Sequence, residues 1–325
     1  MITGTVFVNV ASVTSIARRV GTTIALAALA LGLAACATSP AATTPSGRIR
    51  VVAAENVWGS LAAQLGGDRA KVTNIINNPA TDPHDYEPSA PDAIKLAGAQ
   101  LAIVNGVGYD SWASKVLSAD DNPAQTVLNV GHLVGVAEGG NPHRWYSPTD
   151  VHTVIDRITA DYSRIDPAHV AYFAERHEIV VNTALKKYYD LVDEIRSRYA
   201  GTAVGASESI FVPMAAAIGL DLITPPDLLN AVSEGGEPTA ADKAAADAQI
   251  TGHRIRVYVY NSQNATPDVQ RQVDAARASG IPVTTITETL SPAGSSFQQW
   301  QVAQLVALRQ ALATSSKSST TTTGK

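Results

Sequence analysis

"RIRVYVYNSQNATPDVQRQVDAARASGIPVTTIT", residues 254–287, is the stretch that decides the fold. Its two ends, 254–261 and 281–287, are short runs rich in β-branched and aromatic residues, a composition typical of strands. Residues 266–280 between them begin with Thr-Pro, end with Gly and carry apolar residues at helical spacing. A strand, a helix and a second strand in this order predict parallel strands joined by a crossover helix, and therefore an α/β fold.

The same alternation of strand and helix occurs on both sides of a long helical region. Further strand-like runs lie at 48–55, 71–76, 100–106, 126–131 and 202–206. Residues 168–199 contain neither Gly nor Pro and repeat apolar residues at helical spacing, which predicts one helix about 48 Å long. We therefore expect two similar lobes, each a parallel sheet covered by helices, joined by one long rigid helix. The expected boundaries are an N-terminal lobe at 48–166, a linking helix at 167–200 and a C-terminal lobe at 201–314.

The first 36 residues have the features of a bacterial export signal. Arg18 and Arg19 precede an apolar run at 20–35. As a helix this run would be about 24 Å long, which is shorter than a bilayer core of about 30 Å and fits a signal peptide better than a spanning helix. It ends in "LAAC" (33–36), which resembles a lipobox, where the cysteine becomes the lipidated first residue. We expect a signal peptide at 1–35, a lipid on Cys36, a flexible tether at 36–47 and a disordered tail at 315–325.

Charge and cysteine content exclude several classes of function. The formal net charge is −5, so no basic surface indicates nucleic-acid binding. Cys36 is the only cysteine, so the mature chain can form neither an internal disulfide nor a thiolate metal site.

Two histidines lie in proline-stiffened loops that follow predicted strands. "TDPHDYEPSAPD" (81–92) presents His84, and "NPHRWYSP" (141–148) presents His143. In both loops a proline directly precedes the histidine. Proline fixes φ and reduces the freedom that the loop would lose on binding a ligand. The loops therefore predict two imidazoles held ready for a ligand.

Two carboxylates follow strands of the second lobe in the same way. Glu208 comes directly after the strand at 202–206, and Glu288 after the strand at 281–287. Because ligands of such sheets bind beyond the carboxyl ends of the strands, the two imidazoles and two carboxylates should face one crevice between the lobes. Two nitrogen and two carboxylate ligands suit Mn²⁺, Fe²⁺ or Zn²⁺.

Each of these residues also has an ordinary structural interpretation. His84 and His143 could be solvated loop histidines. Glu208 and Glu288 could be acids near helix N-termini, where the helix dipole favours negative charge. Among the other histidines, only His132 borders one of the two loops; His152, His169, His177 and His253 lie in helical or turn contexts among charged residues.

The two histidine motifs resemble those of a known family. "DPHDYEPSAPD" and "NPHRWYSP" look like the paired motifs of the metal-binding receptors of ABC importers, the zinc and manganese solute-binding lipoproteins of the cluster A-I type. "SESIF" (207–211) and "ITETL" (286–290) resemble the segments that bear that family's third and fourth ligands. The resemblance covers about residues 48–313, including the long helix between the lobes. It implies that His84, His143, Glu208 and Glu288 bind the metal.

The chain departs from the family pattern at three points. It lacks the His-rich acidic loop that many zinc members carry after the first histidine. Glu208 stands where zinc members often have a third histidine, and Glu288 stands where the fourth ligand is commonly Asp. The implied ligand set looks closer to the manganese type, with the longer Glu288 side chain as the exception.

The resemblance implies an extracytoplasmic receptor that captures Zn²⁺ or Mn²⁺ as cargo. Its partners would be the permease and ATPase of an ABC importer, and we expect a monomer anchored by its lipid to the outer face of the cell membrane. From the residues alone, the other interpretation is a membrane-anchored metal-dependent hydrolase with Asp85 or Glu87 as its base. A catalytic metal needs an open coordination position, which four protein ligands would fill, so we expect no enzyme. An adhesin on the same fold would add to the receptor function rather than compete with it.

Overall fold

The computed structural model describes residues 47–81, 83–84, 86–119 and 122–320. The expected signal peptide, the lipid on Cys36 and residues 36–46 of the tether lie outside the described residues, as do residues 321–325 of the expected tail. Among the helices described, none has the length and apolar character needed to cross a membrane.

The first lobe contains one sheet of four parallel strands in the order β2-β1-β3-β4. Its strands are β1 (Ile49–Glu55), β2 (Ala70–Ile76), β3 (Leu101–Val104) and β4 (Thr126–Asn129). Its helices are α1 (Asn56–Gly66), α2 (Ala90–Ala97), α3 (Ser111–Ala119), α4 (Val130–Leu133) and α5 (Pro148–Ile165). The central strands β1 and β3 are almost entirely buried, because helices cover both faces of the sheet.

The linking segment is helical, but it is not one regular α-helix. A 3₁₀ turn (Pro167–His169) leads into α6 (Val170–Ile179), a π-helical turn (Val180–Ala184) and α7 (Lys186–Tyr199). In the π-helical turn, the N–H of Leu185 donates to the carbonyl of Val180, five residues earlier. Residues five apart in a regular α-helix point about 140° away from each other. The wider turn lets Val180 and Leu185 both face the core, which the periodicity of the sequence did not reveal.

The second lobe repeats the architecture of the first, with four parallel strands in the order β6-β5-β7-β8. Its strands are β5 (Ala203–Ala206), β6 (Asp221–Leu222), β7 (Tyr258–Asn261) and β8 (Val283–Ile286). Its helices are α8 (Val212–Ala217), α9 (Pro226–Ser233), α10 (Ala240–Thr251), α11 (Pro267–Ala278) and α12 (Phe297–Thr320). The expectation of two similar lobes with parallel sheets is confirmed. Only β6 was not predicted, because two residues are too few to show a strand pattern.

The C-terminal helix is longer than the sequence indicated. We expected a disordered tail from residue 315, whereas α12 continues to Thr320. Ser and Thr are only moderately poor helix formers, so a helix that packs well along its earlier turns can extend into such a sequence.

One hydrophobic core runs through both lobes and the linking segment. Tyr188 of α7 lies against Phe297 of α12, with ring centroids 5.9 Å apart, and Phe297 in turn contacts Trp300. The same core reaches Trp58 and Trp145 in the first lobe. The described residues accordingly lie within one compact unit. Because close-packed side chains deform little, this shared core favours small tilts of the lobes over a wide hinge motion.

Packing of α6 on α5 can be tested through Phe173. This side chain is fully buried, and its ring centroid lies 5.3 Å from that of Tyr162 on α5. Phe173→Ala leaves a cavity there, and we expect a loss of about 3–5 kcal/mol in the free energy of unfolding. Urea unfolding measures this loss. Val170→Ala, in the same helix but 48% exposed, is the matched control and should cost much less. Equal stability of the two variants would contradict the packing described.

Candidate metal centre

Three of the four candidate ligands converge at the junction of the two lobes. His84 and His143 come from the first lobe and Glu288 from the second, and each offers one ligand atom within 4.8 Å of the others. His143 Nε2 lies 3.4 Å from Glu288 Oε2. The centroids of the two imidazole rings are 5.6 Å apart. This is the spacing that side chains need in order to share one metal ion.

Glu208 lies beside this group rather than within it. Asn261 Nδ2 donates to Glu208 Oε1 at 2.5 Å and to Glu288 Oε1 at 2.9 Å, so one amide holds both carboxylates. The second oxygen of Glu208 accepts from Asn264 Nδ2 at 2.8 Å. The carboxylate of Glu208 is therefore next to that of Glu288 but engaged by amides on both oxygens.

The order of the strands explains why these residues meet. In the second sheet β7 lies between β5 and β8, and Asn261 at the end of β7 pairs with Ile286 at the end of β8. Glu208 follows β5 and Glu288 follows β8, so both side chains flank Asn261 at the carboxyl ends of the strands. From β5 the chain passes first to β6 on one side and later to β7 on the other side. The strand order therefore reverses at β5, and ligands of parallel sheets bind at such a switch point.

Asn141 orients the His143 imidazole. Its Oδ1 lies 3.0 Å from both the backbone nitrogen and Nδ1 of His143, while its Nδ2 donates to the carbonyl of Ser209 at 2.7 Å. An amide oxygen can only accept, so Nδ1 of His143 carries the proton. The lone pair is then on Nε2, the atom that faces Glu288. This is the usual way in which an outer hydrogen bond fixes the tautomer of a metal-binding histidine.

The loop that presents His84 is fixed at both ends of its turn. Pro83 is buried, and α2 begins after it with a capping box between Ser89 and Asp92. The hydrogen bond from Ser89 is the main reason that the pKa of Asp92 is lowered to about 2. Tyr86 also donates to Asp92, at 2.9 Å. Ser89 and Asp92 thus fix the start of α2, directly after the loop that carries His84.

Tyr109 reaches the site from the loop after β3. Its hydroxyl donates to Glu288 Oε2 at 2.8 Å, and its ring lies edge-on to His84 with centroids 4.6 Å apart. The loop is bent by positive φ angles at Gly106, Val107 and Gly108. Asp110 closes the bend by accepting from the backbone N–H of Gly106 at 2.8 Å. A strained, well-bonded loop thus carries a hydroxyl to a candidate ligand.

Burial determines the charge state of two of the candidate ligands. Burial lowers the pKa of His143 to about 4, although Glu208 opposes this shift. Burial, and secondly the charge of Glu288, raise the pKa of Glu208 to about 8. At neutral pH without metal, His143 is therefore neutral and Glu208 carries a proton. A divalent cation bound beside Glu208 would favour loss of that proton, because a nearby opposite charge lowers the pKa of a carboxyl.

Several residues around the ligands were not identified from the sequence. Tyr109, Asn141, Asn261 and Gln263 each bond to a candidate ligand or to its backbone. The signal that could have found two of them is position, since Asn261 ends β7 and Gln263 follows it. His132, the competing histidine, is exposed and does not belong to the group.

The chain is similar in sequence to a known protein family and to several of its members. The family model described as "Zinc-uptake complex component A periplasmic" matches residues 51–311. The zinc-binding lipoprotein AdcA of Streptococcus pneumoniae is 24% identical over 308 residues, covering 86% of this chain and 58% of AdcA. The manganese ABC transporter substrate-binding lipoprotein PsaA of the same species is 26% identical over 191 residues, covering 55% of this chain and 59% of PsaA.

A solved structure confirms the fold. A metal-free mutant of the periplasmic metal-binding protein from Candidatus Liberibacter asiaticus matches with a TM-score of 0.68 at 18% identity, covering 82% of this chain and 100% of that one. The match to the curated relatives AdcA and PsaA spans less than two thirds of their length. The resemblance inferred from the histidine motifs is confirmed by the family model, which matches most of the chain. The protein therefore belongs to the family of the periplasmic component A of zinc-uptake complexes.

Proposed function

We propose that this protein is an extracytoplasmic receptor that binds one divalent metal ion, Zn²⁺ or Mn²⁺, and delivers it to the permease of an ABC importer. The observation that carries this proposal is the convergence of His84, His143 and Glu288 from opposite lobes. Glu208 completes the ligand set once its carboxylate has lost its proton. The ion is cargo, so the site must both hold it and release it.

The donor set is compatible with either metal. Two imidazoles and two carboxylates suit both Zn²⁺ and Mn²⁺, and intrinsic affinity for such sites is higher for Zn²⁺. The names of the relatives do not decide between them, because AdcA is called zinc-binding and PsaA a manganese transporter component. We propose that the protein accepts both ions and that Zn²⁺ binds more tightly in solution.

Binding without catalysis is the function that the side chains support. Four protein ligands fill a tetrahedral shell, whereas a catalytic metal keeps a position for water or substrate. Glu87, a candidate base for a hydrolase, is exposed. We therefore propose a binding protein, acting as a monomer with the permease and ATPase as its partners.

Substitution of the candidate ligands tests the site directly. Loss of an outer hydrogen-bonding partner of a metal ligand weakens metal binding by roughly 10–100-fold. His84→Ala and His143→Ala each remove a ligand itself, so we expect each to weaken Zn²⁺ binding by more than this. Isothermal calorimetry with the mature protein measures this. His132→Ala, which removes an exposed histidine, is the matched control and should bind as the wild type does. Wild-type affinity in both His84→Ala and His143→Ala would refute the site.

The pH dependence of metal affinity should follow Glu208 rather than His143. His143 is already neutral above pH 5, because its pKa is about 4. Glu208 has a pKa of about 8 and must lose its proton to bind metal. Affinity should therefore rise as the pH is raised from 6 to 8.5, by up to about tenfold per pH unit below 8. Calorimetry in buffers of different ionisation enthalpy should show about one proton released at pH 7. A flat affinity with no proton release would contradict this assignment.

We also propose that a lipid on Cys36 anchors the protein to the outer face of the membrane. The support is the "LAAC" motif after an apolar run, together with the lipoprotein names of the relatives. In a bacterial host, the wild type should fractionate with membranes and carry a lipid on Cys36 by mass spectrometry. Cys36→Ala should be unprocessed or released. An unmodified wild-type N-terminus beginning elsewhere would exclude the anchor.

A further inference from the structure

Gln263 connects the two lobes at the metal centre. It follows β7 in the second lobe, and its Oε1 accepts from the backbone N–H of Glu288 at 2.6 Å and of Thr289 at 3.0 Å. Its Nε2 donates to the carbonyl of Pro79 in the first lobe at 2.5 Å and to Thr289 Oγ1 at 2.8 Å. One amide thus bonds to the backbone of a candidate ligand in one lobe and to a carbonyl in the other.

Pro79 lies in the same loop as His84, between β2 and α2. This loop follows an edge strand of its sheet, and Glu288 follows an edge strand of the other sheet. Neither residue is within a helix or strand that would hold it by regular backbone bonds. Gln263 therefore supplies a direct connection between the two segments that present His84 and Glu288.

The position of Gln263 is itself fixed. Its backbone N–H donates to Asn261 Oδ1 at 2.9 Å, and the Nδ2 of the same Asn261 holds Glu208 and Glu288. Asn261 is fully buried at the end of β7. The chain of contacts thus runs from a rigid strand end through Gln263 to the His84 loop.

We propose that Gln263 is a positioning residue that sets the spacing of His84 and Glu288 and thereby the residence time of the metal. This inference rests on the proposed function. Groups held in the geometry of the bound state lose less freedom when the metal binds, and they separate less often while it is bound. A single interlobe hydrogen bond on a loop can also break without disturbing the shared core, which suits a site that must release its ion.

Two substitutions separate the connections that Gln263 makes. Gln263→Glu keeps the length of the side chain and acceptor oxygens for the N–H groups of Glu288 and Thr289. As a carboxylate it cannot donate to the Pro79 carbonyl or to Thr289 Oγ1, but the Thr289 hydroxyl can donate to it instead, so only the bond to Pro79 has no replacement. Gln263→Met keeps the approximate length and loses every side-chain hydrogen bond. The added negative charge of Gln263→Glu would by itself slow the release of a cation. Faster release from this variant would therefore arise from the lost interlobe bond.

The experiment uses the mature protein, Zn²⁺ release to a chromophoric chelator in stopped flow, and the visible spectrum of bound Co²⁺. We expect Gln263→Glu to release Zn²⁺ up to about fivefold faster, which is the effect of one lost hydrogen bond before the opposing effect of the added charge, with the Co²⁺ spectrum of the wild type. Gln263→Met should release it roughly 10–100-fold faster, with an altered Co²⁺ spectrum because Glu288 has lost its backbone anchor. Gln270→Met, on the exposed face of α11, is the matched control and should behave as the wild type.

The outcomes distinguish this inference from the proposed function. If the wild type binds neither Zn²⁺ nor Co²⁺, the proposed function fails. If the wild type binds both and the two Gln263 variants release Zn²⁺ at the wild-type rate, the positioning role is overturned. A purely structural role would give a different pattern, which also overturns the inference. In that case Gln263→Met lowers the melting temperature of the metal-free protein but leaves the Co²⁺ spectrum unchanged, and Gln263→Glu behaves as the wild type does.

Discussion

The site depends on one amide that holds two buried carboxylates together. Two negative charges side by side in a water-poor interior repel each other strongly, and Asn261 Nδ2 relieves this repulsion by donating to both Glu208 and Glu288. Glu208 relieves it further by keeping a proton, since burial and Glu288 raise its pKa to about 8. His143 adds no compensating charge, because burial holds its pKa near 4. Without metal, neither the neutral His143 nor the protonated Glu208 therefore offsets the charge of Glu288. A divalent cation would offset it, whereas a neutral solute would not.

Each lobe contributes one kind of candidate ligand, and the fold holds the two kinds close together. The imidazoles come from loops of the first lobe and the carboxylates from strand ends of the second. The shared core beneath them passes through α7 and α12, so neither sheet can move far without disturbing the other. Hydrogen bonds from side chains of the first lobe to the second then fix the positions of the candidate ligands across the junction. Asn141 donates to the carbonyl of Ser209, and Tyr109 donates to Glu288. A rigid frame with a few breakable polar contacts is suited to tight capture and complete release.

The sequence predicted the strands, the two-lobe architecture and the candidate ligands, because each has a local signature. β-branched runs identify strands, and Pro-His pairs identify stiff loops. It did not predict the π-helical turn at 180–184, because burial of both Val180 and Leu185 is a property of the tertiary packing. Nor did it identify Asn261 or Gln263. Both lie at or just after the end of a predicted strand, in the very stretch that revealed the fold, but this position alone does not distinguish them from their neighbours. Only the order β5-β7-β8 places Asn261 between the two carboxylates. Nor did the sequence predict that Glu208 lies beside the other three candidate ligands rather than among them, because this depends on hydrogen bonds from Asn261 and Asn264.

The most direct measurement of the central claim is a crystal structure of the mature protein loaded with Zn²⁺, supported by X-ray absorption at the zinc edge. We predict one ion between the lobes, with two imidazole nitrogens from His84 and His143 at about 2.0–2.1 Å and carboxylate oxygens from Glu208 and Glu288 at about 2.0–2.2 Å. We also predict that Glu208 has turned away from at least one of its amide partners. An ion bound elsewhere, or a coordination shell with fewer than two imidazoles, would contradict this site.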